Sequence, residues 1–172
     1  MINSYNDYKR FLESDKRALG KKSIFPMPVG DEIWIFQRLM RKIEYIQNSK
    51  RKILLPYLYL LKYRYRLMSI RLGFTIPINV FDEGLSIAHI GNIVINNMAR
   101  IGKNCRIHVG VNIGEYKGKA PLIGDNVYIA PGVKIFGGTQ IANNVKIGAN
   151  AVVNKSFSKE GATIVGIPAK EV

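Results

Sequence analysis

Aliphatic residues recur at every sixth position through the second half of this chain. Ile95, Ile101, Ile107 and Ile113 are spaced by six, and after four extra residues the ladder resumes at Ile123, Ile129, Ile135, Ile141, Ile147 and Val153. A second ladder of small or β-branched residues runs two positions ahead of the rungs: Ala99, Cys105, Val111, Val127, Val133, Thr139, Val145 and Ala151. A period of six is neither the 3.6 of a helix nor the 2 of an ordinary strand. It fits a hexapeptide β-helix, in which three short strands and three turns make each coil.

The fit is geometric. Each unit forms one side of a triangular prism, the aliphatic rung points inward, and it stacks on its counterpart one coil away. The smaller residue fills the space near a corner. The turn wants Gly, Asn or Asp, which tolerate positive φ. Lys103-Asn104, Asp125-Asn126 and Asn143-Asn144 stand where those turns are due. The four extra residues fall within Gly114–Pro121. They must bulge outward, because stacked rungs leave no room inside, and bulges of repeat folds commonly carry binding work.

Residues 1–72 read instead as a helical N-terminal region. Tyr5, Tyr8, Phe11 and Leu12 form one apolar stripe, and Pro26 and Pro28 then break the chain. Asp31 is placed to cap a helix carrying Ile33, Trp34, Phe36, Leu39, Met40, Ile43 and Ile46. A third helical segment runs from near Pro56 to about Gly73. The prism is expected over 73–160, with a tail over 161–172 folding back on the last coil.

A net charge of +14 accompanies this layout, with Arg38, Arg41, Lys42, Lys50, Arg51, Lys52, Lys62, Arg64, Arg66 and Arg71 concentrated in the helical region. Interleaved with Tyr57, Tyr59, Tyr63 and Tyr65, these cations suit an anionic membrane surface or a polyanionic glycan, or form a solvated helix face. No nucleic-acid motif accompanies them, so nucleic acid is not expected as a partner. The N-terminus lacks the pattern of a secretory signal, and the longest apolar run, Ile53 to Leu61, contains Pro56 and is too short to span a bilayer. A cytoplasmic protein is expected, with the inner face of the membrane as a place it can meet. The one cysteine, Cys105, sits in the small-residue ladder as a packing thiol.

The stretch Leu85–Ile95, the repeat after it, and the closing Val165-Gly-Ile-Pro-Ala-Lys170 resemble the hexapeptide-repeat acyltransferases. Within them the chain looks most like serine acetyltransferases, including relatives found among genes for capsule and other surface polysaccharides. The resemblance covers about residues 73–172. It implies a left-handed parallel β-helix, against the usual right-handed crossover. It also implies a homotrimer or a dimer of trimers, with acetyl-CoA as co-substrate in the groove between prisms and no metal. His89 falls on the family's general base. Gly114 and Glu115 are candidates to steady the thioester oxygen through backbone N–H groups. Compact Ala130 and Ala149 would admit the pantetheine arm, and Lys155 and Lys170 would meet the adenosine phosphates, unless they are simply solvated.

Three departures bear on the acceptor. Ala88 and Phe74 stand where the family carries aspartates, and Lys119 and Ala120 where it carries an Arg-His pair. Loss of those groups favours a sugar hydroxyl of a surface polysaccharide or its precursor as acceptor. Serine O-acetylation is the alternative, and a non-catalytic scaffold a third reading. His108 and Lys119 are candidate acceptor contacts, and Asp82 or Glu83 candidate partners that orient His89. In strict six-residue register His89 would be an inward rung, six before Ile95. An irregular coil, with Asp82, Glu83 and Gly84 just upstream, would turn it outward.

Overall fold

The computed structural model describes residues 1–49 and 54–172, so Lys50, Arg51, Lys52 and Ile53 lie outside the described residues. Among the described residues, three α-helices lead into a parallel β-solenoid. Helix α1 (Tyr5–Ala18) opens on a capping box: Asp7 N–H donates to Ser4 Oγ at 3.1 Å, and Ser4 N–H to Asp7 Oδ2 at 3.0 Å. Helix α2 (Glu32–Asn48) follows, and α3 (Leu55–Leu72) ends on Gly73, whose φ of 77° makes the left-handed stop that a Cβ would strain. Asp31 precedes α2 as expected but does not cap it with its side chain. Its carboxylate accepts from Lys21 Nζ and from Met27 N–H instead, tying down the preceding loop.

The prism has three faces. The first holds the strands Phe74–Thr75, Ile93–Ile95, Asn112–Gly114, Lys134–Phe136 and Val152–Val153. The second holds Arg100–Ile101, Leu122–Ile123 and Gln140–Ile141. The third runs from Ser86–Ile87 through Arg106–Ile107, Tyr128–Ile129 and Lys146–Ile147 to Thr163–Val165. Pairing between coils is parallel and keeps rung on rung: Ile107 on Ile129, Ile129 on Ile147, Ile101 on Ile123. These rungs and the ladder Ala99, Cys105, Val111, Val127, Val133, Val145 and Ala151 form one continuous buried core. Burial pushes the Cys105 thiol up to about 12, so it stays protonated and inert, as a packing group should.

The expected corners appear, and they are linked. Asn104, Asn126 and Asn144 take φ of 54°, 57° and 61°. Asn104 Nδ2 donates to Asn126 Oδ1 at 2.9 Å, Asn126 Nδ2 to Asn144 Oδ1 at 3.0 Å, and Asn144 Nδ2 to Glu160 Oε1 at 2.6 Å. The same side chains that permit the turn thus stitch successive coils along the corner between the second and third faces.

The solenoid extends further than the six-residue count suggested. Ile164, inside the segment assigned to a tail, still stacks in parallel on Ile147. The last rungs are unevenly spaced, with Phe157 bridging Ile141, so the period breaks while the stacking persists. Only then does Lys170–Glu171 fold back, antiparallel to Thr163–Val165.

A solenoid end leaves backbone groups without a next coil. Here α1 and α2 supply the partners through a buried ionic cluster. Arg41 is fully buried and pairs with Asp15 at 2.8 Å and Glu44 at 3.0 Å. It also donates to the carbonyls of Phe81 at 2.9 Å and Asp82 at 2.7 Å. Asp15 Oδ1 accepts from the N–H groups of Gly84 and Leu85 at 2.8 and 2.9 Å, and Glu44 Oε1 from that of Asn79 at 2.7 Å. Burial alone would push the Arg41 guanidinium down, but the two carboxylates hold it above its ordinary value. Arg41 therefore leaves the basic surface to which its sequence position assigned it.

Candidate active site

His89 is exposed, and the strict-register expectation fails for a countable reason. The third-face rung of its coil is Ile87, which pairs with Ile107, and the next first-face rung is Ile95, which pairs with Ile113. The chain takes eight residues between those rungs instead of six, and the surplus turns Ala88-His89-Ile90 out of the stack. Ile87 is buried where the six-residue count had placed the imidazole.

One coil on, at the same corner between the third and first faces, His108 follows Ile107. Its ring centroid lies 5.8 Å from that of His89 and 5.1 Å from Tyr128, which meets it edge-on. His108 is buried, and its Nε2 has no partner among the described residues. Burial first, then the nearby Arg106 cation and His89, hold its pKa below the ordinary 6.5. It is harder to protonate folded than unfolded, so its stabilising contribution is present above pH 6.5 and declines as pH falls below that value. Lowering the pH from about 7.5 to about 5 should depress the thermal midpoint more steeply in the native chain than in His108→Asn, which cannot titrate.

Neither carboxylate expected to orient His89 does so. Asp82 stands at the corner between the second and third faces, where its Oδ1 accepts from Glu83 N–H at 2.8 Å. Glu83 pairs with Arg10 at 2.8 Å and Lys103 at 3.3 Å. Asp82 instead borders a second-face cleft of about 460 Å³ with Asn79, Arg100, Leu122 and Gln140. Phe74 is buried in the core, as its apolar ring requires.

The insertion lies at the third corner, between the first and second faces. Tyr116 and Lys119 exchange backbone hydrogen bonds of 2.9 and 3.1 Å, and the Glu115 carboxylate accepts from Gly118 N–H, which closes a tight hairpin. The side chain of Glu115 is thus structural, while Gly114 ends its strand at the hairpin's base. Beside the hairpin is a cleft of about 610 Å³ that brings Lys119 and Lys155 together with Tyr116, Phe136 and Thr139. Thr139 Oγ1 is buried there and has no partner among the described residues. Lys170 lies elsewhere, on the strand that closes the third face, and Ala130 and Ala149 follow the corner that carries His108. Tyr128 and Thr139 carry no signal of a site in the sequence. Tyr128 precedes its rung as Arg106 does, an outward position, and Thr139 reads as ladder filler.

One chain therefore holds two groups of candidate residues at two corners, with the five-stranded first face between them. Residues 120–155 match the family model of the bacterial transferase hexapeptide (six repeats). The prism is built on that repeat. Among curated relatives, the chain is 48% identical over 88 residues to a serine acetyltransferase of Staphylococcus epidermidis. That match takes in 49% of this chain and 41% of the relative, so the chain spans about two fifths of that protein's length. The solved serine acetyltransferase of Brucella abortus superimposes with a TM-score of 0.78 at 23% identity, covering 98% of this chain and 70% of that one. A serine acetyltransferase in complex with CoA gives a TM-score of 0.72 at 24% identity, covering 98% and 71%. The two structural superpositions take in the helical lead-in as well as the hexapeptide prism.

Proposed function

We infer that this protein transfers acetyl from acetyl-CoA to a hydroxyl, with His89 as general base. The observation that carries this reading is the exposed His89 imidazole at a prism corner, 5.8 Å from the ring of His108. Acetyl-CoA supplies an acyl carbon activated as a thioester. His89 takes the proton of the acceptor hydroxyl as its oxygen attacks that carbon, and returns it to the departing thiolate. His108, kept neutral at neutral pH, adds no positive charge beside the imidazolium that forms.

The cleft lined by Lys119 and Lys155 suits the phosphates of CoA, since it brings two lysines together beside the hairpin. The Gly114 and Glu115 N–H groups are the candidates to steady the thioester oxygen, and Ala130 and Ala149 offer little bulk along the His108 corner. His89 and the lysine cleft occupy different corners, so a complete site needs the corner of one prism against the hairpin of another. A homotrimer, or a pair of trimers, supplies that arrangement.

Serine is the first acceptor to consider, because the relatives at 48% identity bear that name. A sugar hydroxyl of a surface polysaccharide is the second. It is favoured by Ala88 and the buried Phe74, which stand where the resemblance implies aspartates, and by Asp82, whose carboxylate is engaged away from His89. The purified chain should release CoA thiol from acetyl-CoA when an acceptor is added. Release with serine supports the first acceptor, and release only with a glycan supports the second. Failure to bind acetyl-CoA at all overturns the enzymatic reading.

A further inference from the structure

Helix α3 buries one side against the molecule through Leu58, Leu61, Ser69 and Leu72, with Tyr65 half-buried between them and donating to the Ile76 carbonyl at 2.6 Å. At 100° per residue, those positions mark a single inward stripe. The opposite side should then be polar, and it is not. Tyr59, Leu60, Tyr63, Leu67 and Ile70 fall on one outward stripe and are 69%, 54%, 62%, 49% and 63% exposed. Lys62 and Arg66 run along one margin of the stripe, and Arg64 and Arg71 along the other, all exposed. The whole helix carries those four cations and no carboxylate.

An apolar stripe edged by cations on both sides, with tyrosines among the aliphatic groups, is the pattern of a helix lying in a membrane interface. Tyrosine suits that depth because its ring prefers the acyl boundary and its hydroxyl the headgroups. Among the described residues, no helix is long and apolar enough to cross a bilayer, so the geometry is that of a helix resting on the surface. The α3 of a second copy is a poor cover for this face, because it would set four cations against four with no carboxylate on either helix. The net charge of +14 acts in the same direction at longer range.

We propose that the outward face of α3 docks the protein on an anionic lipid surface, with Tyr59, Leu60, Tyr63, Leu67 and Ile70 entering the headgroup region and the four flanking cations meeting lipid phosphates. The inference is independent of which hydroxyl accepts the acetyl group.

The test is co-sedimentation of the full chain with vesicles of phosphatidylcholine alone and of phosphatidylcholine mixed with phosphatidylglycerol. The expected result is pelleting with the mixed vesicles at low salt, release as salt rises, and none with the neutral ones. Each cation near an anionic surface contributes about five-fold in partitioning, so Arg64→Gln with Arg66→Gln should weaken it by about thirty-fold. Leu67→Ser with Ile70→Ser should abolish pelleting while leaving the thermal midpoint intact, since both side chains are exposed. Equal pelleting with both vesicle types, none with either, or pelleting untouched by these substitutions overturns the proposal. So does a self-association of the native chain in the ultracentrifuge that Leu67→Ser with Ile70→Ser removes, because a second copy then covers the face.

Discussion

His89→Ala is expected to lower turnover by about 10²–10⁴-fold, the range that a positioned general base contributes, while acetyl-CoA still binds. The separation follows from geometry. The imidazole sits at the corner between the third and first faces, whereas Lys119 and Lys155 share their cleft at the corner between the first and second. On the proposed reading, removing the ring takes away proton transfer and leaves the lysine cleft in place. Steady-state thiol release together with calorimetric titration of CoA distinguishes the two effects. Unchanged turnover in His89→Ala would remove the imidazole from the mechanism. His108→Asn is expected to cost less, since His108 stands beside the reacting group and keeps a neutral, hydrogen-bonding character in the variant.

Arg41→Ala is expected to destabilise the fold by about 3–5 kcal/mol, the cost of leaving buried carboxylates without their counter-charge. Asp15 and Glu44 are themselves buried, and two first-coil carbonyls would also lose their donor. A sharper expectation concerns replacing Arg41, Asp15 and Glu44 together by apolar residues. In many proteins removing an entire buried ion cluster is nearly neutral. It should not be so here, because the carboxylates accept from the N–H groups of Asn79, Gly84 and Leu85, which the triple variant would leave unsatisfied. Denaturant unfolding followed by circular dichroism measures both variants. A loss under about 1 kcal/mol for Arg41→Ala would mean that water reaches the cluster.

The six-residue ladder was enough to read the prism, because stacking one aliphatic rung on another leaves little freedom in which residue faces inward. The asparagine corners were equally legible, since few residues accept a positive φ. So was the outward course of the insertion, which the filled interior forces. Charge was less legible. Arg41 looks like its neighbours Arg38 and Lys42 in the sequence, and only the docking of α2 on the first coil buries it among carboxylates from two helices.

His89 shows where the division lies. Residue order alone places an imidazole at the first coil of a hexapeptide prism, with cations and an insertion after it. The folded chain settled that the ring faces out, because eight residues rather than six separate Ile87 from Ile95, and such a surplus is visible only when rungs are paired across coils. It likewise decided that Asp82 turns away from the ring and that the lysine cleft opens at another corner. A local repeat dictates which way each side chain points within its own turn, whereas which turns become neighbours depends on how the coils stack and on what the helices cover.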